Sequence, residues 1–368
     1  MITMLKFSFI SVVLIVFFTC KETKVSMLNY QPSNELFNYS GRYEVLQDTS
    51  VGLISSASYV EFNVKGNSIN IYLQTESLDR NYYVISVNDH YNKRYKIEGD
   101  SIQKITLELP NADQNKIGIY KATEAFNDKI IFHGIDAEAL LPMEKKPFKI
   151  EFIGDSITCG ALSDDSGIPC NEGDYQDQHN AYLAYGPRLA RRFNADFVLS
   201  SVSGMGMYRN WNDENIEEAI MPQVYDHLYL NKENPKPYNL DFKPDVVSIC
   251  LGTNDMSDGD GIKERLPFNI EKYTASYISF VKNIYKRFPE TKIALLSSPM
   301  IDGEKKDTLI SCLKQVQEYF KINQGKNIAL FQFDKVYPNG CNYHPSVEEQ
   351  NDMANALEPF FKSILIKE

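Results

Sequence analysis

The sequence predicts an α/β protein in two parts: a jelly-roll-like antiparallel β-sandwich, then a flavodoxin-like domain built on a parallel sheet. Three observations predict it. Between about residues 41 and 143, apolar and polar side chains alternate at period two, the pattern of strands with one face on a core. A polar, proline-bearing connector, Pro142-Met143-Glu144-Lys145-Lys146-Pro147, then ends the alternation. Over residues 148–368, short runs that are apolar nearly throughout alternate with helical stretches, as strands of a sheet covered on both faces do.

The first twenty residues stand apart from both domains. Lys6 precedes an apolar run from Phe7 to Phe18, followed by Thr19-Cys20. A basic head and about a dozen apolar residues fit a secretory signal and fall short of a bilayer span. Cys20 after a small residue is similar to the lipobox of bacterial lipoproteins, where the cysteine is lipidated, although Phe18 stands where a smaller residue is usual. The expectation is an exported lipoprotein, in the periplasm or at the cell surface, whose only membrane contact is this anchor. A plain signal peptide is the other reading.

In the sandwich, Val60, Phe62 and Val64 alternate with Tyr59, Glu61 and Asn63, and Gly66-Asn67 turns the chain. Ile69, Ile71 and Leu73 follow, then Tyr83, Ile85 and Val87, the turn Asn88-Asp89, and Ile105, Leu107 and Leu109. Residues 117–120 and 129–132 supply the last strands. The second domain offers apolar strands at 148–153, 197–199, 245–251, 293–296 and 328–331, with helices around 181–193, 268–288, 306–322 and 346–366.

The 368 residues suffice for two domains, and 43% hydrophobic with 24% charged is ordinary globular composition. A net charge of -11 argues against nucleic acid as a partner. Five cysteines follow Cys20, so at least one thiol stays unpaired in the mature chain. Cys159 and Cys170 flank one loop and are the expected bridge; Cys250 lies in an apolar strand and reads as core. No Cys/His spacing suits a metal, and no cofactor is expected.

The chemistry concentrates at strand ends. Gly154-Asp155-Ser156 closes the run 148–153, a place where a serine hydroxyl is exposed at the carboxyl edge of a sheet. Such a hydroxyl needs a base, and His344, in Asn342-Tyr343-His344-Pro345-Ser346 before the last helix, can serve. His90, His133, His179 and His227 read as structural. Oxyanion donors are the backbone N–H groups of Ser156 and Gly204 and the side-chain amide of Asn254, in Gly252-Thr253-Asn254-Asp255. Asp155 and Asp255 read as loop anchors.

These four blocks resemble the SGNH hydrolases, the GDSL esterase/lipase superfamily, and the resemblance implies the namesake roles for Ser156, Gly204, Asn254 and His344. The sandwich ahead of residues 150–160, and Gly340-Cys341-Asn342-Tyr343-His344-Pro345-Ser346, are similar to carbohydrate esterase family 2. That likeness implies removal of acetyl groups from plant-type polysaccharides such as xylan or glucomannan, with an acetylated carbohydrate as the partner. One departure stands out: the superfamily's usual aspartate three residues before the histidine is Cys341 here, and the esterase family's at two before is Asn342. A Ser–His dyad is therefore expected, its imidazole oriented by a backbone carbonyl or by Asn342 Oδ1, with Glu348 and Asp334 as reserve acids. Competing readings are a glycan-binding lipoprotein with weak or no turnover and another lipase or thioesterase of the superfamily.

On the substrate side, Tyr208, Trp211 and Tyr343 are candidates for stacking on sugar rings. Ser163-Asp164-Asp165 and Asn171-Glu172-Gly173-Asp174 read as a solvated rim. The sandwich reads as a wall of the cleft or a spacer rather than a separate binding module.

Overall fold

The computed structural model describes residues 26–47, 49–77, 80–238 and 241–366. The leader and Cys20 lie outside the described residues.

The sandwich strands are β1 (Leu28–Tyr30), β2 (Asn38–Ser40), β3 (Tyr43–Val45), β4 (Val51–Leu53), β5 (Tyr59–Lys65) and β6 (Ser68–Thr75). They continue with β7 (Arg80–Val87), β8 (His90–Glu98), β9 (Gln103–Glu108), β10 (Asn115–Lys121), β11 (Ile130–Ala137) and β12 (Ala139–Leu141). They form two six-stranded antiparallel sheets, β3-β4-β11-β6-β9 with β1 on β11, and β12-β5-β10-β7-β8 with β2 on β5. Between the sheets the inward residues of the alternation, among them Phe62, Ile71, Leu73, Ile85, Ile119 and Phe132, are fully buried.

The domain begins earlier than the alternation suggests, since β1 and β2 precede residue 41. Each is three residues long, too short to display a period. β8 also escapes a hydrophobic reading because it is an edge strand, mostly exposed and carrying Lys93 and Lys96; edge cations discourage strand pairing with other chains.

Along β5, β7 and β10 the outer face of the second sheet is not in water. Tyr59 packs its ring 5.0 Å from that of Phe197 and donates to Asp196 Oδ1 at 2.7 Å. Glu61, the next apparent solvent residue, is 1% exposed and paired with Lys146 Nζ at 2.6 Å. One apolar cluster joins Tyr59, Tyr82, Tyr120 and Ala122 of the sandwich to Ile150, Phe152 and Tyr185 beyond it. Arg42, fully buried at this seam, donates to Ser200 Oγ and to the carbonyls of Tyr225 and His227. The two domains thus share a core.

The second domain has strands β13 (Phe148–Gly154), β14 (Ala195–Ser201), β15 (Val246–Cys250), β16 (Lys292–Leu296) and β17 (Ala329–Phe331). All pair in parallel, in the order β14-β13-β15-β16-β17, the doubly wound order whose ligands sit where strand order reverses. Helices α1 (Ser156–Cys159), α2 (Tyr185–Arg192), α3 (Met221–Val224), α4 (Ile270–Arg287), α5 (Gly303–Gln324) and α6 (Val347–Leu365) lie between and after them. Ser346 caps α6 by accepting from Glu349 N, and Glu349 Oε2 accepts in return from Ser346 N at 3.1 Å, a capping box that fixes where α6 starts. Register places Gly154 opposite both Ser201 and Cys250. The ends of β13, β14 and β15 are therefore neighbours, and the three loops carrying Ser156, Gly204 and Asn254 leave the sheet side by side.

Candidate active site

β13 is buried along most of its length and ends at a tight turn. A Cβ on Gly154 would lie 2.0 Å from Thr158 Oγ1, so only glycine fits there. Asp155 caps α1, accepting from Ile157 N at 3.1 Å, and Ser156 begins the helix, 8% exposed.

Ser156 Oγ lies 2.9 Å from His344 Nε2, 188 residues later in the chain. The histidine follows a short helical turn, Cys341–Tyr343, in which Asn342 and Tyr343 have φ of 52° and 59°. His344 Nδ1 lies 3.1 Å from the backbone carbonyl of Asn342. A carbonyl only accepts, so Nδ1 carries the hydrogen and Nε2 presents its lone pair to the serine hydroxyl. Of the two orienting groups expected, the carbonyl and not the Asn342 side chain is in place. Glu348 instead accepts from Ser346 Oγ at 3.1 Å, and among the described residues no carboxylate is bonded to His344 Nδ1. Asn342→Ala should therefore keep kcat within about tenfold of the parent, with about 1 kcal/mol lost because alanine tolerates the left-handed backbone poorly. A near-dead alanine variant with an intact fold would contradict the carbonyl assignment.

Burial disfavours the imidazolium, and the bond to the Asn342 carbonyl opposes it only in part, so His344 titrates below the ordinary histidine value of 6.5. Neutral imidazole is the form that accepts a proton, so kcat/KM should stay level below pH 6.5 before its acidic limb appears. A pH–rate profile whose acidic limb lies above pH 6.5 would be the contrary result.

Cys341 is disulfide-bonded to Cys170, which corrects the expected Cys159–Cys170 bridge. Cys159 lies inside α1 and donates to Ser201 Oγ at 3.2 Å, buried against β14, while Cys170 sits on a loop that reaches the histidine turn. Cys159, Cys250 and Cys312 are free and buried. The disulfide closes a sequence separation of 171 residues onto the turn that aims His344. Cys170→Ser should lower stability by about 2–5 kcal/mol, read as a fall in Tm; an unchanged Tm would show that the bridge restrains nothing.

Gly204 has φ of 79°, and a Cβ there would meet nothing within 4 Å, so the peptide turns openly into the cleft. Asn254 Nδ2 donates to Met205 O at 2.9 Å and to Asp155 Oδ2 at 3.2 Å. Both amide hydrogens have acceptors, and an oxyanion would share or replace the longer bond. Burial pushes the Asp155 carboxyl up to about 7. Asp255 accepts from the backbone N–H groups of Met207, Tyr208 and Arg209 at 2.8–3.3 Å, and burial outweighs these bonds, raising it to about 6. Asp255 holds the loop after Gly204, and Asp155 links the nucleophile turn to Asn254.

Ser156, Gly204, Asn254 and His344 line one cleft of about 810 Å³, with Trp211 and Asn342. Trp211 is 48% exposed. Tyr208 does not line it: its ring packs on Phe268 and Tyr273, and its hydroxyl accepts from Asn269 N at 3.0 Å. Tyr343 is 78% exposed, and the turn that aims His344 inward carries it outward. Neither is among the cleft's lining residues. Asp164 leaves the expected solvated rim: it is 4% exposed, accepting from Asn180 Nδ2 at 2.7 Å beside Arg94. Lining residues that sequence reasoning missed include Phe126, Tyr175, Met300 and Ile301. Phe126 belongs to the irregular connection between β10 and β11, where no periodicity marks it, and it makes the sandwich one wall of the cleft. Phe126 and Tyr175 stack with ring centroids 6.5 Å apart.

Residues 152–347, more than half of the chain, match the GDSL-like lipase/acylhydrolase family, and residues 39–144 match the carbohydrate esterase 2 N-terminal domain. An acetylxylan esterase/glucomannan deacetylase of Cellvibrio japonicus is 28% identical over 312 residues, 82% of each chain. A family two carbohydrate esterase structure from Cellvibrio japonicus superposes with a TM-score of 0.80 at 22% identity, covering 92% of this chain and 98% of that one. One from Clostridium thermocellum in complex with cellohexaose gives 0.79 at 22% identity, covering 89% and 99%. The chain belongs to the GDSL-like lipase/acylhydrolase family: it is an ester hydrolase that carries the N-terminal domain of family 2 carbohydrate esterases.

Proposed function

We propose that this ester hydrolase removes O-acetyl groups from plant-type polysaccharides or oligosaccharides through an acyl-enzyme on Ser156, as an exported protein. The observation that carries the reading is the 2.9 Å contact between Ser156 Oγ and His344 Nε2 inside an open cleft. As Ser156 attacks the acetyl carbonyl, its proton passes to Nε2, and the oxyanion takes hydrogen bonds from the N–H groups of Ser156 and Gly204 and from Asn254. The imidazolium then gives that proton to the departing sugar oxygen. Water, deprotonated by the same Nε2, releases acetate and restores the serine. The Asn342 carbonyl keeps Nδ1 protonated throughout and so holds the imidazole in the tautomer both steps need.

The carbohydrate part rests on the exposed indole of Trp211 beside Gly204, a flat face suited to the C–H side of a sugar ring, and on the names of the relatives. The paired nucleophile and base favour turnover over a role in glycan binding alone. Export rests on the basic, apolar leader ending at Thr19-Cys20; the Cys170–Cys341 bridge supports it, because disulfides persist outside the reducing cytosol. The test is acetate release from a panel of acetylated glycans by the parent enzyme and Ser156→Ala. Release that depends on Ser156 is expected; the same release from both proteins would defeat the reading.

A further inference from the structure

We propose that Glu124, a residue of the sandwich, is a positioning residue for the oxyanion-binding loop at Ser203-Gly204, so that the sandwich completes the active site of the neighbouring domain. The inference rests on the esterase reading given above.

Glu124 lies in the β10–β11 connection, two residues before the cleft-lining Phe126, and its side chain is fully buried across the domain seam. Its carboxylate serves the other domain. Oε2 accepts from the backbone N–H of Ser203 at 2.7 Å, and Oε1 accepts from His179 Nε2 at 3.0 Å and from the Ser203 hydroxyl. Burial alone would raise this carboxyl, but the bonds from His179 and Ser203 outweigh it and hold Glu124 below the usual carboxylate range. An ionised acceptor therefore grips the peptide one residue ahead of Gly204.

The loop's remaining restraints come from its own domain. Trp211 N donates to Gly204 O at 2.8 Å, and Asn254 Nδ2 donates to Met205 O at 2.9 Å. Glu124 supplies the anchor on the other side, where the chain has left β14 and has no ladder to follow. The same carboxylate is linked through the Ser203 hydroxyl to a second lining residue, because Tyr175 OH donates to Ser203 Oγ at 2.8 Å beside Phe126. A bond that served only to glue the domains together would have no reason to end on the backbone N–H adjoining an oxyanion glycine.

The test compares Glu124→Ala and Glu124→Gln in the full chain, reading kcat and KM on a chromogenic acetate ester, per active site titrated, alongside Tm. Removing the anchor should lower kcat about 10²-fold, as slight misplacement of an active-site group does, with KM within about twofold of the parent value. Glu124→Gln keeps the volume and one acceptor and should recover part of the loss, falling only about tenfold. Should Glu124→Ala not fold, Glu124→Gln carries the test by itself. Parent-like kcat per titrated site in the folded variants, whatever the change in Tm, would overturn the inference alone. Absence of Ser156-dependent turnover in the parent enzyme would overturn the esterase reading and this inference with it.

Discussion

Ser156→Ala is expected to lower kcat by about 10⁴–10⁶-fold while leaving the fold and Tm close to the parent's. Among the described residues the serine hydroxyl is the nucleophile bonded to His344 Nε2, at 2.9 Å, and its removal leaves that base with water to activate. The cleft and its amide hydrogens survive in this variant, so a residual rate above that in buffer should persist. His344→Ala should cost a similar factor, because an unassisted hydroxyl is inert at neutral pH. The double variant should be little worse than either single one, since the two groups perform one step together. Losses that multiplied in the double variant would mean that serine and histidine act independently. Steady-state kinetics on an acetate ester, with Tm as the control for folding, makes the comparison.

Asn254→Ala should lower kcat by about 10²–10³ at nearly unchanged KM. The amide is held in place by the Met205 carbonyl at 2.9 Å, and the hydrogen bond it gives Asp155 Oδ2 at 3.2 Å is the one a developing oxyanion would share or take over. Alanine removes that donor and also strips Asp155 of a partner. Asp155 is fully buried and already raised to about 7, so losing a hydrogen-bond donor should push it higher still and favour its neutral form. Asn254→Asp should be worse than alanine for kcat, since it sets a second acid against Asp155 and replaces a donor with an acceptor. An Asn254→Ala enzyme with parent-like kcat would remove Asn254 from the oxyanion site and leave the two backbone N–H groups alone there.

The parallel sheet was legible because its strands are buried on both faces, which writes continuous apolar runs such as 148–153 and 245–251 into the sequence. The sandwich was legible where alternation ran for several residues, as in β5 and β6, and illegible in the three-residue β1 and β2 and in the charged edge strand β8. Ser156 and His344 stood out because their blocks sit at strand and helix boundaries, where turn chemistry is visible in the residue types. The Cys170–Cys341 bridge was not readable: nearness along the chain favoured Cys159, whereas pairing follows which loops converge. Tyr208 and Trp211 share one loop and look alike in sequence, yet the first packs inward on Phe268 and only the second faces the cleft. Phe126 and Glu124 were invisible for a related reason, since both lie in an irregular connection and act across a domain seam.

Acylation of Ser156 with His344 as its base is decided by peptide mass mapping after rapid acid quench of enzyme mixed with an activated acetate ester. An acetyl group should appear on the peptide containing Ser156 within the first turnover and be absent from His344→Ala over the same time. Acetate release without acetylation of that serine would contradict it.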